Sequence, residues 1–402
     1  MKVKSLPRLR VDYPLLVGML LLLGFGLMMV YSTTWELARS NGLPDSYYVL
    51  RQAAFALAGL AVAAGLTFLD YHRLKVLVVP GMILTLGLLV AVLLIGRTAG
   101  SEPRRALLAG SIQPSELAKL MTVIYLAFWL SNRQEELHDF SLGLFPMLII
   151  IGLSSMLILA QPDISAAATV ILVGVLLFIL GGGKPQHLLM LIVIAGILGV
   201  LVFLVFPRAQ TRMGDYINGL QDPMRASDQI KWSIEALLNG KLFGVGLGRS
   251  TTKFIGLPVA YTDSIFAVIA EETGLAGAGL VLAGYCLILW RGMKIAAQAP
   301  DRLGSLLAAG MTTWIVTEAM INMAVMVNLV PVAGNPLPLV SYGGSNLVMT
   351  LAGLGIVLGV SRRSQIKQQD EERSVNGAVV DLRGRDGGRR VPSPVHSASA
   401  QR

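Results

Sequence analysis

The chain has 402 residues, of which 54% are hydrophobic and 14% are charged, and its formal net charge is +9. A soluble globular domain carries about 25% charged residues. Of the 33 basic and 24 acidic residues together, 14 lie in positions 361–402 and 5 in positions 1–13. The long, charge-poor body disfavours a soluble enzyme and a nucleic-acid binder, and it indicates an integral membrane protein with basic ends.

Ten apolar runs are close to the length that a helix needs to cross a hydrocarbon core of about 30 Å. They predict an all-α polytopic membrane protein with about ten transmembrane helices. The predicted spans are 14–32, 49–69, 75–96, 116–131, 143–160, 164–181, 187–206, 263–290, 305–329 and 342–360. Residues 1–13 then form a basic arm, 14–360 the transmembrane domain, and 361–402 a polar tail that we expect to be disordered.

Lysine and arginine favour the cytoplasmic side of short loops. If both termini are cytoplasmic, the short loops on that side hold basic residues, whereas the outer connections 161–163 and 330–341 hold none. One outer connection breaks the trend, because it contains Arg97, Arg104 and Arg105. A wrong topology would explain this, but we prefer a binding role for these arginines because the other short loops agree.

The one large loop, 207–262, falls on the outer side in this topology. Its segment 227–240 begins with a possible helix cap, Ser227, and ends at Gly240, which predicts a short helix. Trp232, Phe243 and several leucines place the loop on the membrane surface.

Ionisable residues inside apolar spans are costly and are therefore functional candidates. Glu116 and Lys119 lie three residues apart at the start of the fourth span and share one helix face. A structural ion pair and a lysine presented to a phosphate both fit this spacing. Asp263 opens the eighth span, where a helix cap and a functional carboxylate are both compatible with the position.

Three further acids lie within predicted spans. Glu271 and Glu272 follow Asp263 by eight and nine residues, which places them about 12–13 Å deeper along a helix, near the bilayer midplane. We expect at least one of the two to be protonated or paired inside the bundle. Glu318 in the ninth span fits either an interhelical hydrogen bond or the lining of a cavity.

Two glycine-containing segments also carry information. GVGLG at 244–248 has the spacing GxGxG, a weak signal for a phosphate cradle. In the segment 340–346, Ser341 and Tyr342 can form hydrogen bonds, and Gly343 and Gly344 allow a close approach of the backbone. A tight helix start explains the second segment equally well.

Four ordered blocks together resemble the SEDS (shape, elongation, division and sporulation) family, which includes FtsW, RodA and SpoVE. The blocks are QPSELAK (113–119), QPD (161–163), GVGLGRS to AEETG (244–274) and NPLPLVSYGGSNL (335–347). The resemblance covers residues 14–360, and its glycine block is more similar to FtsW than to RodA. The chain departs from the family pattern in four places: no Trp follows Arg105, Glu318 replaces a Gln, Tyr261 replaces a His, and DQIKWS (228–233) replaces YQxxQS.

This resemblance implies a peptidoglycan glycosyltransferase in the bacterial cytoplasmic membrane that acts at the outer face during division or elongation. The acceptor would be lipid II, and the donor a glycan on undecaprenyl pyrophosphate. A class B penicillin-binding protein would be a partner on a separate chain, with other division or elongation proteins of the membrane and no nucleic acid. The family's essential aspartate corresponds to Asp263, the expected general base of an inverting transfer.

The leaving pyrophosphate requires cations. The expected substrate-binding residues are Lys119 with Glu116 orienting it, Arg104, Arg105, Arg249, Lys253, Ser341 and Tyr342. Mg²⁺ or another divalent cation could assist, although no cofactor is certain.

Two other hypotheses remain open at this point. A lipid II transporter would use Glu271, Glu272 and Glu318 as gating or proton-coupled groups and would not need Asp263 as a base. A non-catalytic scaffold of the division complex would need neither.

Overall fold

The computed structural model describes residues 11–95, 113–133, 139 and 144–384, and every regular element within these ranges is a helix. Helices occur at all ten predicted spans. The thirteen α-helices of the described residues are α1 Tyr13–Ser40, α2 Tyr47–Phe68, α3 Lys75–Ile95, α4 Pro114–Asn132, α5 Phe145–Leu159, α6 Ile164–Leu180, α7 Pro185–Val205, α8 Pro207–Gln221, α9 Asp228–Gly240, α10 Thr252–Ile255, α11 Ile265–Ala297, α12 Arg302–Met326 and α13 Gly344–Gly384.

Seven of these helices are long and apolar enough to cross a membrane: α1, α2, α3, α7, α11, α12 and the first part of α13. The other three at predicted spans are α4, which carries Glu116 and Lys119, and the shorter α5 and α6, with 15 and 17 residues. These are the fourth, fifth and sixth spans, the ones with the weakest sequence signal. The prediction of an all-α, multi-pass membrane protein is confirmed.

Two helices form the centre of the bundle. The most apolar stretches of α12 and α13 are 72% and 78% buried, whereas the corresponding stretch of α7 is only 6% buried. Helices α2 and α13 pack closely, since a Cβ on Gly355 would lie 2.6 Å from Cα of Ala63. Small residues allow this approach between membrane helices, where packing rather than water exclusion drives association.

Two polar contacts at different levels join α1 to α11. At one end Asp12 pairs with Arg291, and at the other end Ser32 donates a 2.7 Å hydrogen bond to Glu272. The 20 residues from Asp12 to Ser32 correspond to about 30 Å of helix, the thickness of the hydrocarbon core. The two contacts thus hold α11 against α1 over about one membrane thickness, and the depth of Glu272 in the membrane remains a prediction.

The large loop is mostly helical. Helix α9 begins after Ser227 and ends at Gly240, which confirms the helix that the sequence predicts there, although the Ser227 side chain makes no capping bond. Exposed apolar side chains follow, among them Leu242 at 61% and Phe243 at 83% exposed. The location of this loop on the membrane surface remains a prediction.

Helix α11 is broken at Gly274, where φ is +72°. The loop before α10 inserts at this break. The amides of Val245 and Gly246 donate to the carbonyls of Glu271 and Glu272, and the amides after the break donate to Lys241 and Leu242. Backbone groups that a broken helix leaves without partners are thus satisfied by the loop.

The last helix extends further than expected. We expected disorder from residue 361 onwards, but α13 continues to Gly384. Adding residues to an existing helix avoids the cost of nucleation, so a polar segment can continue an apolar one. Residues 1–10 of the predicted arm and 385–402 of the predicted tail lie outside the described residues.

The break at Gly274 provides a stability test. A Cβ on Gly274 would lie 2.4 Å from the backbone of Gly244 and Leu242, whereas one on Gly279 in the same helix would meet nothing within 4 Å. We predict that Gly274→Ala destabilises the protein by about 2 kcal/mol or more, because strain at positive φ adds to the clash.

Thermal unfolding of the purified protein in detergent measures this effect, with Gly279→Ala as the matched control. The expected result is a lower midpoint for Gly274→Ala and an unchanged one for the control. Equal midpoints for the two variants would contradict the role assigned to the break.

Candidate functional site

The four sequence blocks meet at one end of the bundle, around Asp263. Asp263 lies two residues before α11, next to the N-cap residue Ser264, and is half-buried. Its carbonyl accepts a 2.7 Å hydrogen bond from Asn322 Nδ2, which also donates to the carbonyl of Asn335 at 2.7 Å. Its Oδ2 would lie only 3.5 Å from a Cβ on Gly334. Gly334 is thus a close neighbour of the carboxylate.

The QPD turn contributes a second carboxylate near this position. Asp163 caps α6 by accepting from Ala166 N at 3.3 Å, and it also accepts from the Ser165 hydroxyl at 3.1 Å. The Ser165 hydroxyl and Asp263 Oδ2 both lie within 4 Å of the Cβ position at Gly334. Asp263 and Ser165, the hydroxyl partner of Asp163, thus approach the same glycine.

The segment 340–346 is attached to the residues before Asp263. The Ser341 hydroxyl donates to the carbonyl of Thr262 at 2.6 Å, and the Tyr342 amide donates to the carbonyl of Tyr261 at 2.9 Å. Gln52 on α2 fixes the other side, since its amide group donates to Ser341 O and accepts from Gly343 N. Ser341 therefore positions the backbone next to Asp263, and its contact with substrate remains a prediction.

Lys119 is paired with two acids inside the bundle. Its ammonium lies 2.8 Å from Glu116 Oε2 and also bonds Glu318 on α12. The three side chains are at most 3% exposed. Asn346 donates to Glu116 at 3.0 Å, which connects the group to α13. The structure thus shows the structural ion pair, and phosphate binding by Lys119 remains a prediction.

This buried group holds one more carboxylate than ammonium. Within the described part of the chain, Glu318 Oε2 and the indole nitrogen of Trp314 have no hydrogen-bond partner. The Lys119 ammonium lies 5.9 Å from the centre of the Trp314 ring. The interhelical bond that the sequence allowed for Glu318 is present, and it joins α12 to α4.

Lys253 is also paired. Its ammonium lies 2.6 Å from Glu272 Oε1 and donates to the Ser32 carbonyl at 3.0 Å, with 1% of the side chain exposed. Glu272 lies nine residues along α11 from Asp263, about 13 Å on the helical rise. Lys253 was predicted to bind substrate, but the structure places its ammonium inside the protein, as a tie between the loop, α1 and α11.

Glu271 organises the neighbouring turn. Its carboxylate accepts from the amide of Thr251 at 3.2 Å and from the hydroxyls of Ser250 and Thr252. The neighbouring Glu272 is paired with Lys253. This confirms the expectation that at least one of the two adjacent acids is protonated or paired inside the bundle.

The GVGLG segment does not form a phosphate cradle in this structure. The amides of Gly244, Val245 and Gly246 donate to Gly240, Glu271 and Glu272 at 2.7–3.0 Å. A Cβ on Gly244 would lie 2.2 Å from the Glu272 carbonyl oxygen. Gly244 is thus explained by close packing against α11, and Gly246 and Gly248 by their positive φ of 103° and 79°.

The remaining predicted cations differ in position. Arg249 is exposed in the loop between α9 and α10. Arg104 and Arg105 lie outside the described residues. No group of three or more potential metal-ligating side chains occurs among the described residues.

Several residues at this site were not predicted from the sequence. Gln52 and Arg51 at the start of α2 lie beside Ser341 and Tyr342, and Asp163 supplies a second carboxylate. Asp163 could have been found, since it is the acid of the QPD block. The α2 residues lie about 290 positions before their partners, and nothing in the local pattern indicates the contact.

The chain is similar to a family of known membrane proteins. The FtsW/RodA/SpoVE family model, described as "Cell cycle protein", matches residues 13–366. The chain therefore belongs to the FtsW/RodA/SpoVE family. Its fold and site define a polytopic, helical membrane protein of this family with a half-buried aspartate at one end.

Two relatives illustrate the similarity. The "Probable peptidoglycan glycosyltransferase FtsW" of Geobacter sp. (strain M18) is 36% identical over 357 residues, covering 88% of this chain and 97% of that protein. The "Stage V sporulation protein E" of Bacillus subtilis (strain 168) is 36% identical over 359 residues, covering 88% of this chain and 98% of that protein.

Two solved structures share the fold. One, described as "Structural coordination of polymerization and crosslinking by a peptidoglycan synthase complex", superposes with a TM-score of 0.70 at 27% identity, covering 88% of this chain and 98% of that chain. The other is the rod shape determining protein RodA of Thermus thermophilus, with a TM-score of 0.64 at 27% identity, covering 88% and 97%.

The buried group around Lys119 yields a stability prediction. Lys119→Met leaves Glu116 and Glu318 facing each other without a cation, and we expect a loss of about 3–5 kcal/mol, the usual cost of breaking a buried pair. Glu318→Gln should cost less than about 1 kcal/mol, because it keeps the shape and removes the excess carboxylate. Thermal unfolding in detergent compares the two, and a Lys119→Met protein as stable as wild type would contradict the ion-pair assignment.

Proposed function

We propose that the protein polymerises lipid II into glycan strands at the outer face of the cytoplasmic membrane. It is a peptidoglycan glycosyltransferase of the SEDS family, and the lipid substrate, the side of action and the residue roles are the proposed part. The observation that carries the proposal is the position of Asp263, half-buried where all four family blocks converge.

Asp263 supplies the general base in this proposal. The free sugar 4-hydroxyl of the acceptor attacks the anomeric carbon of the donor glycan and transfers its proton to the Asp263 carboxylate. A carbon–oxygen bond forms, and the bond from that carbon to the lipid pyrophosphate breaks. The pyrophosphate leaves with the bonding electrons. In-line displacement inverts an α-linked donor to a β-1,4 product.

The hydrogen bonds around Asp263 support this role. Asn322 and Ser341 hold the backbone on both sides of the aspartate, at Asp263 O and Thr262 O. Such fixed positioning keeps a base within reach of the reacting hydroxyl, which contributes to the rate independently of acidity.

The leaving pyrophosphate needs positive charge near it. Arg249, which is exposed, and Arg104 and Arg105 are the cations that we assign to it. Lys119 and Lys253 are paired inside the protein. We therefore assign them an electrostatic effect on the pyrophosphate through the protein, without direct contact with it. This ranking differs from the sequence expectation that all five contact the substrate.

A divalent cation fits this site only together with substrate. The Asp263 carboxylate lies beside Gly334, and Asp163 is joined to the same place through the Ser165 hydroxyl. Mg²⁺ is commonly held by one or two carboxylates and by phosphate oxygens. When bound, it would neutralise charge on the leaving pyrophosphate.

We further propose a separate transpeptidase, of the class B penicillin-binding type, as partner. The support is the similarity to a chain of a peptidoglycan synthase complex. We propose action in division or in elongation for the same reason. We also propose that both termini are cytoplasmic, which the distribution of basic residues in the loops supports.

The transporter hypothesis is not favoured. The acids that it would use for gating are engaged in the structure, Glu272 with Lys253, Glu318 with Lys119, and Glu271 with the turn at Ser250–Thr252.

The polymerisation assay tests the proposal. Purified protein receives labelled lipid II in detergent, with and without the transpeptidase partner, and products are separated by gel electrophoresis. We predict that wild type makes glycan strands and that Asp263→Asn reduces the rate by at least about 10²-fold, the lower range for loss of a general base.

Glu235→Gln is the matched control, because Glu235 is exposed on α9 in the same loop region. It should retain wild-type activity. Absence of polymer from wild type with the partner present would overturn the proposal, as would near-normal activity of Asp263→Asn. Lipid II translocation into liposomes without polymer would support the transporter instead.

A further inference from the structure

Four tyrosines form a continuous row that ends beside Asp263. Their rings make edge-to-face contacts, with centres 5.3 Å apart for Tyr47 and Tyr48, 5.6 Å for Tyr48 and Tyr342, and 6.0 Å for Tyr342 and Tyr261. Tyr261 lies two residues before Asp263. The row thus leads from the start of α2 to the carboxylate.

A cation lies beside the middle of the row. The guanidinium of Arg51 is in hydrogen-bonding contact with the hydroxyl of Tyr342. Burial raises the pKa of Tyr342, and the nearby Arg51 acts in the opposite direction. Burial likewise raises the pKa of Tyr261, with Tyr48 and Asp263 adding to the effect. The hydroxyls therefore remain protonated and can donate hydrogen bonds at neutral pH.

The positions of these rings are fixed by the backbone. Tyr342 is attached to Tyr261 by the 2.9 Å bond between amide and carbonyl, and Gln52 joins α2 to Ser341 and Gly343. A preformed arrangement of this kind is typical of a ligand site, because little ordering remains to be done on binding.

Simple packing does not account for the row. Tyr48, Tyr261 and Tyr342 are half-buried rather than buried, and Tyr47 is 40% exposed. An aromatic belt at the membrane surface would distribute its rings around the bundle. Here the rings line up toward one acidic residue, and an arginine lies alongside.

We propose that this row, with Arg51, binds the disaccharide pyrophosphate of the acceptor, with the terminal sugar at Tyr261 and the pyrophosphate toward Arg51. The chemical order of the acceptor matches that of the side chains. Its reacting hydroxyl is on the terminal sugar, its second sugar follows, and its phosphates are at the far end. The Asp263 carboxylate, the rings of Tyr261 and Tyr342, and the Arg51 guanidinium beside Tyr342 meet these groups in the same order.

This inference rests on the proposed function, since it names the acceptor subsite of the same reaction. Tyr261 is of particular interest, because the family pattern has a histidine at this position. A tyrosine ring offers a larger apolar face to the CH groups of a sugar, and its hydroxyl adds a donor. Tyr261, where this chain departs from the family pattern, is thus the tyrosine of the row that we place nearest to the reacting hydroxyl.

The test varies acceptor and donor separately. Lipid II is varied as acceptor while a preformed lipid-linked glycan oligomer is held at a fixed, saturating concentration, and the experiment is then reversed. For Tyr261→Leu and Arg51→Gln we expect the KM for the acceptor to rise about tenfold, with the donor KM and kcat within about twofold of wild type. Tyr261→Phe, which keeps the ring, should shift the acceptor KM by less than threefold.

Matched controls come from the same side of the bundle. Tyr31→Leu removes an exposed tyrosine of α1, and Arg39→Gln removes an arginine that pairs with Asp45 at the surface. Both should leave the acceptor KM unchanged. Thermal midpoints of all variants separate a binding defect from a folding defect.

The outcomes distinguish this inference from the proposed function. If wild type makes no polymer, the proposed function fails. If wild type polymerises but Tyr261→Leu and Arg51→Gln leave the acceptor KM unchanged, the subsite is wrong and the polymerase stands. A rise in the donor KM alone would also overturn the acceptor assignment.

Discussion

A charge between membrane-spanning helices must meet an opposite charge or a set of hydrogen-bond donors, because an unsatisfied one costs several kcal/mol. The fold depends on two such arrangements. Lys119 joins α4 to α12 through Glu318, and Lys253 joins the large loop to α11 through Glu272. Both fix the helices that surround Asp263. The buried lysines and glutamates that the sequence marks as functional candidates therefore hold the helices around the site in place.

The half-buried position of Asp263 follows from these ties. The loop inserted at Gly274 satisfies the ends of a broken helix, so α11 can begin just after Asp263 with a short separate segment before the break. The segment 340–346 then closes against Thr262, and α2 closes against that segment through Gln52. The family blocks are conspicuous in the sequence because each supplies one contact to this single arrangement.

The sequence predicts the helices well and the contacts poorly, for physical reasons. The length of an apolar run is set by the thickness of the membrane that a helix must cross. Helices therefore occur at all ten predicted spans. Asp263 is found because its block resembles the family. The pairing of Lys253 with Glu272 could not be predicted, because it depends on how a loop inserts at a break that only Gly274 signals. The depth of Glu272 in the membrane remains a prediction, because helical spacing gives distance along a helix and no depth in the membrane.

Asp263 and Glu272, nine residues apart, have different roles: we assign the first to the reaction and the second to the stability of the fold. Glu272 is buried and paired, whereas Asp263 is half-buried beside a glycine. The most direct measurement compares Asp263→Asn and Glu272→Gln in one preparation, by polymerisation rate and by thermal midpoint. The account predicts that Asp263→Asn loses polymerisation at an unchanged midpoint, and that Glu272→Gln lowers the midpoint. Wild-type polymerisation by Asp263→Asn would contradict it.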